Sequence, residues 1–505
     1  MNAYFEYLRQ MLIAFFQDLG NWFYRLIVGP WLDVGENFSE YNAYFTHYSP
    51  DFGFWGWFFY VLFWLLFVGI IGGLGYLLFL ALRKYVHFYK RELDKAQLQE
   101  QIEKLNYELF EAIQEKDKIL NLKVGALGIE NPDLSEKDRQ TVEEVTSRFP
   151  KLKYVDHEYK DVDTSIEVVN GLSLEELCNQ FRLFAASQLH LYYTIDTIRQ
   201  LFAGMSASKL IILEGISGTG KTSLAYALGK FFDNDSSICS VQPSWKDRSE
   251  LIGYYNEFTK KFNETEFLRA LYTATYRKDM NIIVLDEMNL ARIEYYFAEF
   301  LSIMEMPNKN EWKIELINSY DPSDPAHVAQ GKMLIPQNVY FFGTANNDDS
   351  TFTISDKVYD RAVSLFFDNK GIPFDAEYTE QLHVPFEQID KLFEEAQVQY
   401  PVSEKTLDKF EKLDDFVIKK FKIAFGNRIL KQLKIFIPTY VACGGTEIDG
   451  LDFVFTNKIL KKFESLNIAF LRDELKQLHA ELDKLFGRGN FKMAHSKIDD
   501  LIKLS

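Results

Sequence analysis

Cysteine is nearly missing from this chain. Cys178, Cys239 and Cys443 are the only three in 505 residues, and no two of them fall in a CxxC spacing. That leaves no disulfide framework and no cysteine zinc site; three free thiols in a reducing compartment is the plain reading. The eight histidines form no HExxH or clustered pattern, so no metal ligand is drawn from them. Positive charge is short overall: 56 Lys and Arg stand against 73 Asp and Glu, a formal net charge of -17. A large constitutive nucleic-acid surface is therefore not expected, because phosphate binding is driven by Lys and Arg, and nucleic acid stays an unsupported partner. The deficit is sharpest at the start, where residues 1–53 hold no lysine and only Arg9 and Arg25. Residues 54–82 hold no charged side chain at all.

That uncharged run fixes the first expectation. As a helix, 54–82 would extend ~43 Å at ~1.5 Å per residue, longer than a ~30 Å hydrocarbon core. It reads as a transmembrane helix, with Trp55, Trp57 and Tyr60 as an aromatic belt at one end. Arg83, Lys84, Lys90 and Arg91 follow the other end, which places the rest of the chain in the cytoplasm. Residues 1–53 read as an interfacial, amphipathic segment, since Met11–Leu32 is apolar but carries Asp18 and Arg25. A second span making a hairpin is the alternative. In 83–122 the residues Leu98, Ile102, Leu105, Leu109 and Ala112 trace a short heptad seam, giving a coiled-coil stalk or, equally, a stalk helix packing on its own chain. Residues 123–170 are polar, broken by Pro132 and Pro150, and read as a linker. Short apolar strands alternate with helical stretches over 171–372, the pattern of a parallel α/β sheet. Residues 373–470 have helical period, and 471–505 form a helical extension that either packs on the chain or docks a partner.

Chemistry concentrates in the α/β part. The apolar strand candidate Lys209–Leu213 runs into GISGTGKT, which fits the phosphate-loop pattern G-x-x-x-x-G-K-[ST]. Gly215, Ser217, Gly218, Thr219, Gly220, Lys221, Thr222 and Ser223 then cradle the phosphates. Lys221 reaches the terminal phosphates, Thr222 binds magnesium, and the helix that follows adds its N-terminal dipole. Downstream, NIIVLDEMN is a central strand ending in two acids: Asp286 to hold magnesium and Glu287 to polarise the attacking water. A third strand, VYFFGTANN, ends at Asn346, placed to hydrogen-bond that water or the γ-phosphate. Arg361 follows in ISDKVYDRAVSLFF.

The motif order GISGTGKT, VLDEMN, GTANN, DKVYDRA resembles the AAA+ ATPases, and within them the branch of McrB-like, MoxR-like and dynein-related modules, over residues 172–460. The resemblance implies a large α/β NTPase domain at 171–372 and a helical lid at 373–470. It makes Asp286 and Glu287 the Walker B pair and Asn346 sensor 1. Arg361 becomes an arginine finger acting on the neighbouring subunit of a ring, typically a hexamer. In FGNRILKQLKIFIPTYVACGG the resemblance maps sensor 2 onto Arg428, although Gly-Asn stands where relatives have Ser-Pro. The run TANNDD departs from the McrB type, so GTP is not carried over and ATP with Mg2+ is the expected ligand. Glu311–Pro336 resembles a β-hairpin before sensor 1. DRSELIGY resembles the segment leading to a ring pore, where Trp245, Tyr254 or Tyr255 would grip a polymer or, alternatively, pack within the domain. Together these features give an NTPase tethered to the bacterial inner membrane that drives an unidentified effector or client. A slow nucleotide-gated switch in defence and a MoxR-like envelope chaperone stay open as alternatives.

Overall fold

The computed structural model describes residues 147–346, 351–367, 371–467 and 470–503, and scattered positions between 46 and 80. Contacts divide the chain into two compact units, 1–129 and 130–505. In the first, the described positions of 54–80 are helical, with Phe54, Trp55, Leu65 and Leu66 exposed. Most of the span expected at 54–82 lies outside the described residues, as does the whole stalk expected at 83–122. Among the described residues no helix is long and apolar enough to cross a membrane.

The second unit begins earlier than its polar composition indicates. Helix α1 (Pro150–Tyr159) starts on a proline, whose missing N–H costs nothing at a helix start. Phe149, Leu152 and Val155 are fully buried. Within the linker of mixed structure expected at 123–170, residues 150–159 are this helix, and a short apolar stripe is enough to dock it. Then follow α2 (Leu174–Leu189), α3 (Ile195–Ala207), β1 (Leu210–Gly215), α4 (Lys221–Phe231), β2 (Ser237–Ser240) and α5 (Arg248–Ile252). After them come β3 (Gly253–Asn256), β4 (Lys261–Glu264), α6 (Glu266–Thr273), β5 (Asn281–Asp286), α7 (Ile293–Tyr296) and α8 (Ala298–Ile303). Next are β6 (Lys313–Glu315), β7 (Val328–Ala329), β8 (Lys332–Leu334), β9 (Val339–Asn346), α9 (Asp356–Tyr359) and β10 (Val363–Phe367). The remainder is helical: α10 (Phe386–Gln399), α11 (Glu404–Phe421), α12 (Asn427–Ala442), α13 (Glu447–Lys458), α14 (Arg472–Phe486) and α15 (Lys492–Lys503). Side-chain caps set several starts, with Ser173, Thr194, Thr265, Ser403 and Thr446 each accepting from a backbone N–H three residues on.

Five parallel strands form one sheet in the order β10-β1-β9-β5-β2. Strands β1, β5, β9 and β10 are apolar at most positions because both faces are covered, whereas the edge strand β2 is only half-buried. Ile211, Leu213, Ile282, Val284, Tyr340 and Phe342 face one apolar cluster, which also takes α2, α3, α4 and the C-terminal helices. Their neighbours Leu210, Ile212, Ile283, Leu285 and Phe341 face the other, with α1, α6 and α8. This two-residue alternation is what the pleat requires. The helices α11 and α14 present Phe410, Leu413, Val417 and Phe421, and Leu475, Leu478, Leu482 and Phe486, at steps of three and four to the first cluster. The extension at 471–505 therefore packs on its own chain through that face.

Two small antiparallel sheets sit beside the large one. β3 pairs with β4, and β8 pairs with both β6 and β7, which is the hairpin expected at 311–336 with one added strand. Glu264 on β4 is buried and accepts from the Lys151 and Leu152 N–H groups at 2.8 and 2.9 Å, capping α1 from a distance. Glu264→Ala should orphan both donors and cost about 2–3 kcal/mol. Urea unfolding checks the loss, and limited proteolysis should show new cleavage within 147–160; an unchanged midpoint and unchanged cleavage would show that α1 is held without this cap.

Candidate nucleotide site

The register brings one edge of the sheet to a common level. Gly215 at the end of β1 lies beside Asn346 of β9 on one side and Phe367 of β10 on the other. Glycine is required at 215: its φ is 139°, and an added Cβ would stand 2.2 Å from the Phe367 carbonyl oxygen. The chain then turns through Gly220, φ 91°, and enters α4 at Lys221. Tyr193, missed by the sequence reading, donates its hydroxyl to the Gly220 carbonyl at 3.1 Å. Lys221 is buried, and its Nζ donates to the carbonyls of Gly215 and Ile216 at 3.0 and 2.8 Å. Burial lowers its pKa, while Asp286 and Glu287 pull the other way.

Asp286 is the junction. Its Oδ1 accepts from Thr222 Oγ1 at 2.8 Å and from Thr344 Oγ1 at 2.8 Å. Thr344 Oγ1 in turn accepts from the Glu287 N–H at 2.8 Å. Glu287 sits at φ 54°, a left-handed conformation unfavourable for a residue with a Cβ, and its carbonyl accepts from Leu290 N at 2.9 Å. Asn346 Nδ2 donates to Glu287 Oε1 at 3.3 Å. Asn289, which is buried, donates to the Asn346 carbonyl at 2.8 Å and accepts from its N–H at 3.3 Å, extending the strand pairing by one side chain. Thr222, Asp286, Glu287 and Asn346 are thus brought together with Lys221, as their motifs imply. Thr344 and Asn289 were not singled out from sequence, although Thr344 lies two positions before Asn346 and so shares its face.

Arg361 and Arg428 are not at this edge. Val363, two residues after Arg361, pairs with Ile211 at the start of β1, so about six residues at ~3.3 Å, roughly 20 Å of strand, separate Arg361 from the phosphate loop. Arg361 Nη2 lies 2.9 Å from Glu305 Oε2, and Arg428 Nε lies 2.7 Å from Glu305 Oε1. Ser208 Oγ donates to the Arg361 carbonyl at 2.7 Å. The turn carrying Arg361 is gripped by two lysines from the helical region, and a third holds the neighbouring strand. Lys458 Nζ donates to the carbonyls of Tyr359, at 2.7 Å, and Ala362. Lys462 pairs with Asp360 at 2.9 Å. Lys461 reaches Glu214 at 3.4 Å, and Tyr359 donates its hydroxyl to the same carboxylate at 3.0 Å. Glu214 is fully buried one residue before Gly215; desolvation raises its pKa, and Lys461 and Tyr359 oppose that. A charged residue inside a buried strand was the signal available in sequence.

The aromatics of the 242–267 stretch divide. Trp245 packs edge-on against Tyr296, and Tyr255 packs on the apolar cluster. Tyr254 is exposed, and Phe258, in the turn between β3 and β4, is 91% exposed, the most open of the group.

Burial lowers Lys458 to a pKa of about 7, mainly by desolvation. An unfolded chain holds that proton up to about 10.4, so folding stability should rise with pH between the two values. Relative to Lys458→Met, the wild type should gain on the order of 2 kcal/mol in denaturant unfolding from about pH 7 to about pH 9. Parallel curves for the two proteins would show that Lys458 keeps an ordinary pKa.

Residues 210–362 match the family described as "AAA domain (dynein-related subfamily)". No curated protein matches the chain. Among solved structures, a candidate ATPase from Cytophaga hutchinsonii is similar at 13% identity, over 69% of this chain and 98% of that one, with a TM-score of 0.40. A full-length MCM homolog from Methanopyrus kandleri is similar at 9% identity, over 58% of this chain and 62% of that one, with a TM-score of 0.34.

Proposed function

We propose that this protein is a membrane-tethered AAA+ ATPase of the McrB and MoxR branch, working as a ring whose sites lie between subunits. The observation that carries the reading is the separation of Arg361 from its own phosphate loop by most of a strand. An arginine at that distance serves a nucleotide only on a neighbouring copy. Arg428, sharing Glu305 with Arg361, belongs to the same neighbour-facing edge. The two hairpins, β3–β4 and β6–β8, support the branch.

The residues at the loop fit Mg2+ and ATP: Gly215 and Gly220 provide the turns, Lys221 a charge, and Thr222 with Asp286 hard oxygen ligands. When bound, magnesium ATP supplies the phosphoanhydride that is cleaved. Glu287 has one oxygen engaged by Asn346, which leaves Oε2 to take a proton from water. Asn346 fixes that carboxylate, itself held at the strand end by Asn289. The tether rests on the uncharged run 54–82 and the basic residues after it. Force or a conformational signal would pass to a client or effector protein, with Tyr254 and Phe258 as exposed aromatics on the β3–β4 hairpin.

Lys221→Ala should abolish magnesium-dependent ATP hydrolysis, and Glu287→Gln should lower it roughly 10²-fold or more. Arg361→Ala should lose roughly 10³-fold in turnover with nucleotide affinity retained. Mixing inactive Arg361→Ala with inactive Glu287→Gln should restore part of the activity, because some interfaces then combine an intact Glu287 with an intact Arg361. No recovery in oligomers shown to be mixed would place Arg361 outside the shared site. Carbonate extraction of native membranes tests the tether; release of the full chain would refute it.

A further inference from the structure

The C-terminal helical pair holds a cluster that the sequence does not display. His479 and Asp483 lie four residues apart on α14, hence on one face. His495, in the first turns of α15, meets them there. One ligand atom from each of the three lies within 4.8 Å of the others. The two imidazole centroids are 3.8 Å apart, and His495 Nε2 is 3.2 Å from Asp483 Oδ1. His495 Nδ1 is buried with no hydrogen-bond partner.

We infer that His479, Asp483 and His495 form a site for a divalent transition metal of the zinc type. Two imidazoles and one carboxylate are a ligand set that zinc accepts, with a fourth position left to water. Ligand bonds of ~2.0–2.1 Å in a tetrahedron set neighbouring ligand atoms ~3.3 Å apart, and the His495–Asp483 separation of 3.2 Å already has that length. The third ligand needs to close by at most about 1.5 Å, since all three ligand atoms lie within 4.8 Å of one another, and rotation about side-chain bonds supplies such a shift. The two imidazoles already lie at a centroid distance of 3.8 Å, so one ion can reach a ring nitrogen of each. The start of α15 would oppose a cation through its dipole, but its Met493 and Ala494 N–H groups are already taken by the Asp452 carboxylate at 2.8 and 2.9 Å. The metal would join α14 to α15 where Leu478 and Leu482 meet Ala494 and Ile498 in the apolar cluster. It is separate in residues and role from the magnesium expected at Thr222 and Asp286. A histidine and an aspartate at i and i+4 are a weak sequence signal, and His495 joins them only through the fold.

The test uses the full-length protein, stripped with chelator and free of nucleotide. Zinc chloride alone is titrated by calorimetry, and cobalt chloride by absorption in the visible range. We expect one zinc per chain, an intense tetrahedral cobalt band, and a thermal midpoint raised by zinc. His479→Ala and His495→Ala should each weaken zinc binding by about tenfold or more, exceeding the lower loss found for outer-shell partners. Lys221→Ala should bind zinc as the wild type does. Absence of zinc binding, or equal binding in His479→Ala, overturns the site. Should His495→Ala fail to fold, His479→Ala decides, since His479 is half-exposed on the surface of α14.

Discussion

One carboxylate oxygen holds the nucleotide edge together. Asp286 Oδ1 accepts hydroxyls from α4 and from β9 while standing at the end of β5, so three separate segments meet on one atom. Hydrogen bonds to a charged acceptor are worth about 1.5–3 kcal/mol each, and Asp286 has two. The consequence runs onward through Thr344, whose oxygen also receives the Glu287 N–H and so steadies a residue in a left-handed conformation. With Glu287 fixed, Asn346 and Asn289 close the chain of contacts back onto β9. The acid expected to activate water owes its direction to its neighbour expected to hold the metal.

A second set of charges ties the sheet to the helical region. Glu214, buried on β1, would be costly alone in an apolar strand. Lys461 and the Tyr359 hydroxyl compensate it, and both come from segments distant in sequence. Lys458 and Lys462 fasten the same turn at its carbonyls and at Asp360. The strand leading into the phosphate loop and the turn leading into Arg361 are thus bound to one short stretch of lysines at the end of α13 and just beyond it. Any displacement of that stretch acts on both ends of the sheet at once.

The legible part of this molecule was local. A phosphate loop is a run of neighbours, and Gly215, Lys221 and Thr222 can be read because backbone turn, charge and hydroxyl must follow one another. Strand ends such as Asp286 and Asn346 were legible because apolar runs stop there. Residues that act across the fold were not. Glu305 looks like any surface acid until the fold sets it between Arg361 and Arg428, and Asn289 is one more polar residue after a strand until it pairs with Asn346. Helix α1 was hidden by its polar exposed face, since three apolar residues suffice to anchor it. For Trp245 the two readings offered by its segment were open until the fold placed its ring on Tyr296, the packing alternative.

The two edges of the sheet carry opposite charge, and this bears on how copies would meet. At the loop edge, Asp286 and Glu287 outnumber Lys221 among the described groups that line it. At the far edge, Arg361 and Arg428 share the single carboxylate of Glu305. Such partly exposed pairs are worth about 0–1 kcal/mol, so Glu305 is a weak anchor for two guanidinium groups. Arg361 is fixed through the backbone of its turn, held by Ser208 and Lys458, and its side chain also donates from Nη1 to the Lys357 carbonyl at 2.8 Å. In the proposed ring, a head-to-tail contact would place the positive edge of one copy on the negative edge of the next, and a rotation that closes would complete the ring. Under that proposal the same contact would carry the arginines toward the phosphates, so the charge pattern favouring assembly would also complete the site.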